Sequence, residues 1–135
     1  MRFALLTLCL VVAATGCSIS QSDYDHLLSE SLASVQKDGP VRTIVLAPQL
    51  SEAARESARK LRPVIEQSAL PTGAQTVPSG YFVLQSISIS GGKAHVKGTL
   101  GPVQDHPPLC GTQYDFAYSR LGWRWRRGDL EMMVC

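Results

Sequence analysis

The stretch YFVLQSISIS (Tyr81–Ser90), then Gly91-Gly92, then KAHVKGTL (Lys93–Leu100) decides the fold. Both arms alternate. Val83, Gln85, Ile87 and Ile89 fall on one side of the first, and Ala94, Val96 and Gly98 on one side of the second. A period of two is the mark of a half-buried strand. Paired glycines supply the positive-φ turn that a two-residue hairpin needs. Downstream, Gly101 to Leu109 holds Pro102, Pro107 and Pro108 and reads as a loop. Cys110 to Leu121 alternates again, with Tyr114, Phe116 and Tyr118 on one face. Gly122 turns the chain and Trp123 to Arg127 opens a last strand. Leu130 to Cys135 extends that strand past Gly128-Asp129, where a bulge or bend is expected. Together these segments predict a four-stranded antiparallel meander.

Upstream the period changes. Ala69 to Gly80 is punctuated by Pro71, Gly73, Pro78 and Gly80, a second loop. Ser51 to about Gln67 predicts a helix with Ser51 at its N-cap and Leu50, Ala54, Ala58, Leu61 and Ile65 as its apolar stripe. Pro63 ends this helix near Leu61 or kinks it. Arg55, Arg59, Lys60 and Arg62 make the other face basic, which is the ordinary solvated face opposite a core stripe. Val41 to Ala47 is rich in β-branched residues and predicts an extra strand. Asp23 to Lys37 predicts another helix. Its stripe is Leu27, Leu28, Leu32 and Val35, Ser22 or Asp23 caps it, and Gly39-Pro40 ends it. Two helices on one face of an antiparallel four-stranded meander, with a possible extra strand at 41–47, make an α+β domain over residues 23–135.

The chain of 135 residues is 44% hydrophobic and 18% charged, with a formal charge of +2. That composition excludes disorder and argues against a nucleic-acid binder. Met1-Arg2, the apolar run Phe3–Ala14 and small residues after it have the pattern of a secretory signal peptide, shorter than the ~20 apolar residues that span a bilayer. Ala14-Thr15-Gly16-Cys17 resembles the lipobox of bacterial lipoproteins, with Ala14 where most carry Leu. The resemblance implies removal of residues 1–16, acylation of Cys17 and a short tether over 17–22. Each buried acyl CH₂ contributes ~0.8 kcal/mol, so several chains on one cysteine hold firmly. Ser18 stands where Asp would imply inner-membrane retention. The resemblance therefore implies a lipid anchor in the outer membrane, facing the periplasm.

Residues 80–127 also resemble the sheet half of nuclear-transport-factor-2-like and cystatin-like domains. The residues that carry this are Ser88 to Gly98, Tyr114-Asp115-Phe116 and Gly122-Trp123-Arg124-Trp125. Such folds serve enzymes and plain binding modules alike, so the likeness implies a sheet architecture and no particular chemistry.

Of four cysteines, Cys9 lies in the signal and Cys17 takes the lipid. Cys110 and Cys135 remain, and in an oxidising compartment they predict a disulfide closing the open end of the last hairpin. A metal site on His106, Cys110 and Cys135 lacks the spacing and a fourth ligand. No metal or other cofactor is expected.

The sequence has no Gly-x-Ser-x-Gly elbow and no phosphate-binding loop. Asp25-His26 and Asp105-His106 are the only adjacent acid–histidine pairs, and neither has a partner that completes a catalytic relay. Whether the chain is an enzyme stays open, with no catalytic residue assigned. Arg120, Trp123, Arg124, Trp125, Arg126 and Arg127 form the best candidate partner-binding patch, rich in the residue types of interface hot spots. In a strand, Trp123 and Trp125 point one way and Arg124 and Arg126 the other. The Trp pair then either packs in the core behind a basic outer face or joins the arginines in a patch. Two functions remain. One is a lipid-anchored interaction module with an envelope protein as partner, an accessory subunit or an inhibitor or immunity-type protein. The other is a small-ligand binder or enzyme using His95 with Tyr114, Phe116, Trp123 and Trp125 on a concave sheet face.

Overall fold

The computed structural model describes residues 19–70, 78–104 and 110–134. The expected signal segment, Cys17, the Asp105-His106 pair and Cys135 lie outside them, as does the Cys110 side chain. The domain is α+β. In chain order it comprises α1 (Gln21–Val35), β1 (Thr43–Leu46), α2 (Glu52–Leu61), β2 (Val64–Glu66), a 3₁₀ turn (Gln67–Ala69), β3 (Tyr81–Ser90), β4 (Lys93–Gln104), β5 (Cys110–Leu121) and β6 (Arg124–Val134).

The sheet has six strands in the order β2-β1-β3-β4-β5-β6. The meander β3 to β6 is antiparallel throughout. It is extended on the β3 side by two parallel strands, with β1 between β2 and β3. The architecture is therefore a mixed sheet and not a free-standing four-stranded meander. β1 fills a central position because Ile44, Val45 and Leu46 are all buried, so it carries the continuous apolar run of a covered strand.

Pro63 ends α2 as a helix. The chain leaves at Arg62 in extended conformation, and Val64–Glu66 joins the sheet edge. Ile65 thus belongs to β2 and not to the helical stripe. Ser51 caps α2, its Oγ accepting from the Ala54 N–H at 3.2 Å. Helix α1 starts two residues earlier than expected. Ser20 holds the N-cap, and its N–H donates to Asp23 Oδ2 at 2.9 Å.

Both helices pack on one face of the sheet around Leu27, Leu28, Ile44, Phe82, Val96 and Phe116. The alternation in β3 changes phase partway. The register shifts between Leu84 and Ser86, so Phe82 and Leu84 face the core before the shift and Ile87 after it. The expected grouping of Val83 and Gln85 with Ile87 fails for that reason, since an extra residue flips every later side chain. In β4 and β5 the expected faces hold: Ala94, Val96, Tyr114, Phe116 and Tyr118 are buried. Strand β4 runs on to Gln104, so Gly101–Gln104 is strand where a loop was expected. In β6 the register slips by one between Phe116↔Leu130 and Tyr118↔Arg127, which leaves Gly128 and Asp129 facing Ala117 alone. That is the bulge the glycine predicted.

The basic side of α2 is neutralised within the domain. Arg55 pairs with Glu66, Arg59 with Glu52, and Lys60 with Asp25 at 3.0 Å. Arg62 Nε donates to the Val41 carbonyl at 3.1 Å.

Candidate functional site

The candidate surface is built on the β5–β6 hairpin. Leu121 faces Arg124 across a two-residue turn, and Gly122 opens that turn at φ +63°, which a side chain rarely adopts. The turn decides the fate of the two tryptophans. Trp123 sits in it and is 76% exposed, while Trp125, the second residue of β6, is 8% exposed. The two do not share a face, contrary to strand periodicity, because Trp123 precedes the strand.

Trp125 faces the helices. Its Nε1 donates to Asp23 Oδ1 at 3.0 Å. Arg120 lies over its ring at 5.4 Å, with Nη2 3.9 Å from the same carboxylate. Burial works to raise the Asp23 carboxyl. Hydrogen bonds from the Ser20 N–H and the Trp125 indole, with the Arg120 guanidinium nearby, outweigh it and leave the group below its ordinary range. Arg127, opposite Tyr118 on the same face, donates from Nη1 to Ser34 Oγ at 2.8 Å. Arg120, Trp125 and Arg127 therefore join α1 to the sheet.

Trp123, Arg124 and Arg126 are the other half of the expected patch, and all three are exposed. The Arg124 guanidinium stacks 4.7 Å from the Trp123 ring. Neither Arg124 nor Arg126 has an ion-pair partner among the described residues. An open groove of about 600 Å³ runs between this hairpin and α1, lined by Ser22, Asp23, His26, Glu30, Trp123 and Arg124 among others.

The aromatic residues of the ligand-binding alternative lie elsewhere. Tyr114 and Phe116 are buried and stacked, with ring centroids 5.5 Å apart. Tyr114 donates to Asp38 Oδ2 at 2.6 Å, and burial first and that carboxylate second push its hydroxyl well above the ordinary range. His95 is exposed on the opposite sheet face, with Nδ1 3.0 Å from Asp115 Oδ1 and Lys97 Nζ 3.8 Å from Oδ2. Asp25 does not serve His26: its carboxylate takes hydrogen bonds from Ser57, Gln21 and Lys60. Among the described residues no group of three His, Cys, Asp or Glu side chains could hold a metal.

Sequence reasoning missed two features of this surface. Asp23 appeared only as a cap and is also the acceptor for Trp125. Leu130, Met132 and Met133 appeared as ordinary strand residues and are exposed along the free edge of β6. The signal was the apolar density of Leu130-Glu131-Met132-Met133, which alternation cannot bury on one face.

No protein-family model, no curated protein and no solved structure matches the chain.

Proposed function

We propose that this chain is a lipid-anchored interaction module of the bacterial outer membrane, facing the periplasm. Acylated Cys17 holds it to the lipid, and the free edge of β6 engages an extended segment of an envelope protein. One observation carries the reading. β6 is an 11-residue strand at the end of the sheet order, with Met132 52% and Met133 68% exposed toward its C-terminal end. Such an edge offers unpaired backbone donors and acceptors to another strand. Main-chain bonds then give affinity and side chains give selection. Arg126 favours a partner segment with acidic residues.

The ligand-binding alternative needs an open aromatic pocket beside His95. Tyr114, Phe116 and Trp125 are spent on the core instead, on the face away from His95.

The test is a photo-crosslinking residue in place of Met133, activated in the native envelope. The expected product is one discrete adduct with a single protein, lost in the Arg126→Glu variant. A smear of unrelated adducts, or none, would overturn the reading.

A further inference from the structure

The exposed large hydrophobic residues fall into two groups. Leu130, Met132 and Met133 follow the outer half of β6. Ile19, Leu121 and Trp123 lie at the opposite end of the domain, where α1 begins and the β5–β6 hairpin turns. The edge strand accounts for the first group only.

The second group lies where the chain enters the domain. Ile19 directly precedes the Ser20 cap, and Asp23 of that cap holds Trp125 at 3.0 Å. Ser22 and Asp23 line one groove with Trp123 and Arg124. The Gly91-Gly92 turn belongs to the same end, because the Arg120 N–H donates to the Gly92 carbonyl at 2.7 Å. That turn brings Lys93, which is exposed and, like Arg124, has no ion-pair partner among the described residues. Asp23 and Glu30 are the carboxylates that line this groove, and Asp23 is occupied by Trp125 and Arg120. One end of the molecule therefore combines three exposed apolar side chains with free cations.

We infer that this end docks on an anionic bilayer surface, with Leu121 and Trp123 in the interfacial layer and Lys93 and Arg124 on lipid phosphates. The inference rests on the lipid-anchored reading of Cys17. Only two residues, Ser18 and Ile19, lie between Cys17 and Ser20, a reach of at most about 11 Å for extended chain. An anchor there leaves the hairpin tip little freedom to stay away from the lipid. Tryptophan favours the membrane–water interface. Each cation near an anionic surface tightens the contact about fivefold. Docking would fix the orientation of the domain, holding this end down and pointing the Met132–Met133 end of β6 into the periplasm toward its partner.

The experiment uses the full chain, purified from a bacterial envelope and reconstituted in vesicles of phosphatidylcholine and phosphatidylglycerol with brominated acyl chains. Bromine quenches only nearby tryptophan, and the chain has two, Trp123 and the buried Trp125. The expected result is strong quenching that disappears in Trp123→Phe. Quenching should fall severalfold in Lys93→Glu/Arg124→Glu and in vesicles lacking phosphatidylglycerol. Both variants alter exposed residues, and circular dichroism checks that they fold. Mass spectrometry of the Cys17 peptide reads the anchor separately. A lipidated chain whose emission is the same in brominated and plain vesicles overturns the docking and leaves the anchor standing. An unlipidated chain that is still quenched overturns the anchor and leaves the docking standing. An unlipidated, unquenched chain overturns both.

Discussion

Asp23 and Trp125 lie 102 positions apart in sequence and share one hydrogen bond of 3.0 Å, which ties the start of the first helix to the last strand. The same carboxylate accepts the Ser20 N–H at 2.9 Å, so helix capping and tertiary docking use one side chain. This junction lies at the start of the first helix. The hairpin tip with Trp123 and Arg124 is held in place beside it.

Removing that acceptor should destabilise the domain. Asp23→Ala leaves a buried indole N–H without a partner, and a hydrogen bond to a charged group is worth about 2 kcal/mol. Urea unfolding at neutral pH should show a loss of that size. Arg120→Ala should cost less, because its guanidinium is 3.9 Å away and partly exposed.

The same carboxylate sets an acid limit. Its pKa is lower in the fold than the ordinary value of 3.8, so the folded state binds fewer protons there. Its contribution to stability is therefore complete above that value and is lost as pH falls through the lower folded one. Asp25 adds to the effect in the same direction. Burial raises it, but hydrogen bonds from Ser57, Lys60 and Gln21 win. Unfolding midpoints measured from pH 6 down to pH 2 should fall steeply in the wild type and less so in Asp23→Asn. Parallel curves would show that Asp23 is not among the groups responsible.

Gly98 has a steric duty. A Cβ there would run into Phe82 Cζ and stand 2.7 Å from the Val83 carbonyl oxygen. Both belong to the adjoining strand β3, where Leu84 faces Gly98. The ring of Phe82 lies over the space that glycine leaves open. Gly98→Ala should cost on the order of 1–3 kcal/mol, as overpacking does. Phe82→Leu should recover part of that loss in the double variant, read as a non-additive thermal shift.

Much of this architecture was legible in single residues. Gly91-Gly92 and Gly122 marked the turns, Gly128 the bulge, and Pro63 the end of the second helix. Each acts locally, through the backbone angles it allows or forbids. The parallel pair β1 and β2 was not legible in the same way. Val64–Glu66 is three residues long, has no period and follows a helical stripe whose spacing continues through Ile65. Its place is set by distant partners such as Ile44↔Val64. The patch was half legible for a related reason. Composition found the arginines and tryptophans, but their sorting to two faces depended on whether Trp123 lay in the turn or in the strand.

That sorting makes a separable prediction. Arg124 and Arg126 are exposed and have no ion-pair or side-chain hydrogen-bond partner among the described residues, Arg124 stacking only on the exposed Trp123, so Arg124→Glu/Arg126→Glu should change stability by no more than about 0.5 kcal/mol. Arg127→Ala removes the Nη1–Ser34 hydrogen bond and the packing over Phe116, with Cζ 6.0 Å from the ring centroid, and should destabilise measurably. Thermal melts of the two variants side by side distinguish them. Equal losses would mean that the outer arginines are structural too.

The final expectation concerns the open end of the last hairpin. The last described pair is Thr112↔Val134. Cys110 lies two residues beyond it along one strand and Cys135 one residue beyond it along the other. The register set by Thr112↔Val134 gives the two cysteines an offset of one position, the residue that the bulge at Gly128-Asp129 adds. A disulfide there would close a loop of roughly 25 residues and add about 3 kcal/mol by restricting the unfolded chain. It would also pin the end of β6 that bears Met132 and Met133, keeping the edge ready for an incoming strand. Cys110→Ser/Cys135→Ser should therefore melt lower than the oxidised wild type and match the wild type in reductant. A thiol titration of the unfolded, unreduced protein that finds both cysteines free would rule the bond out.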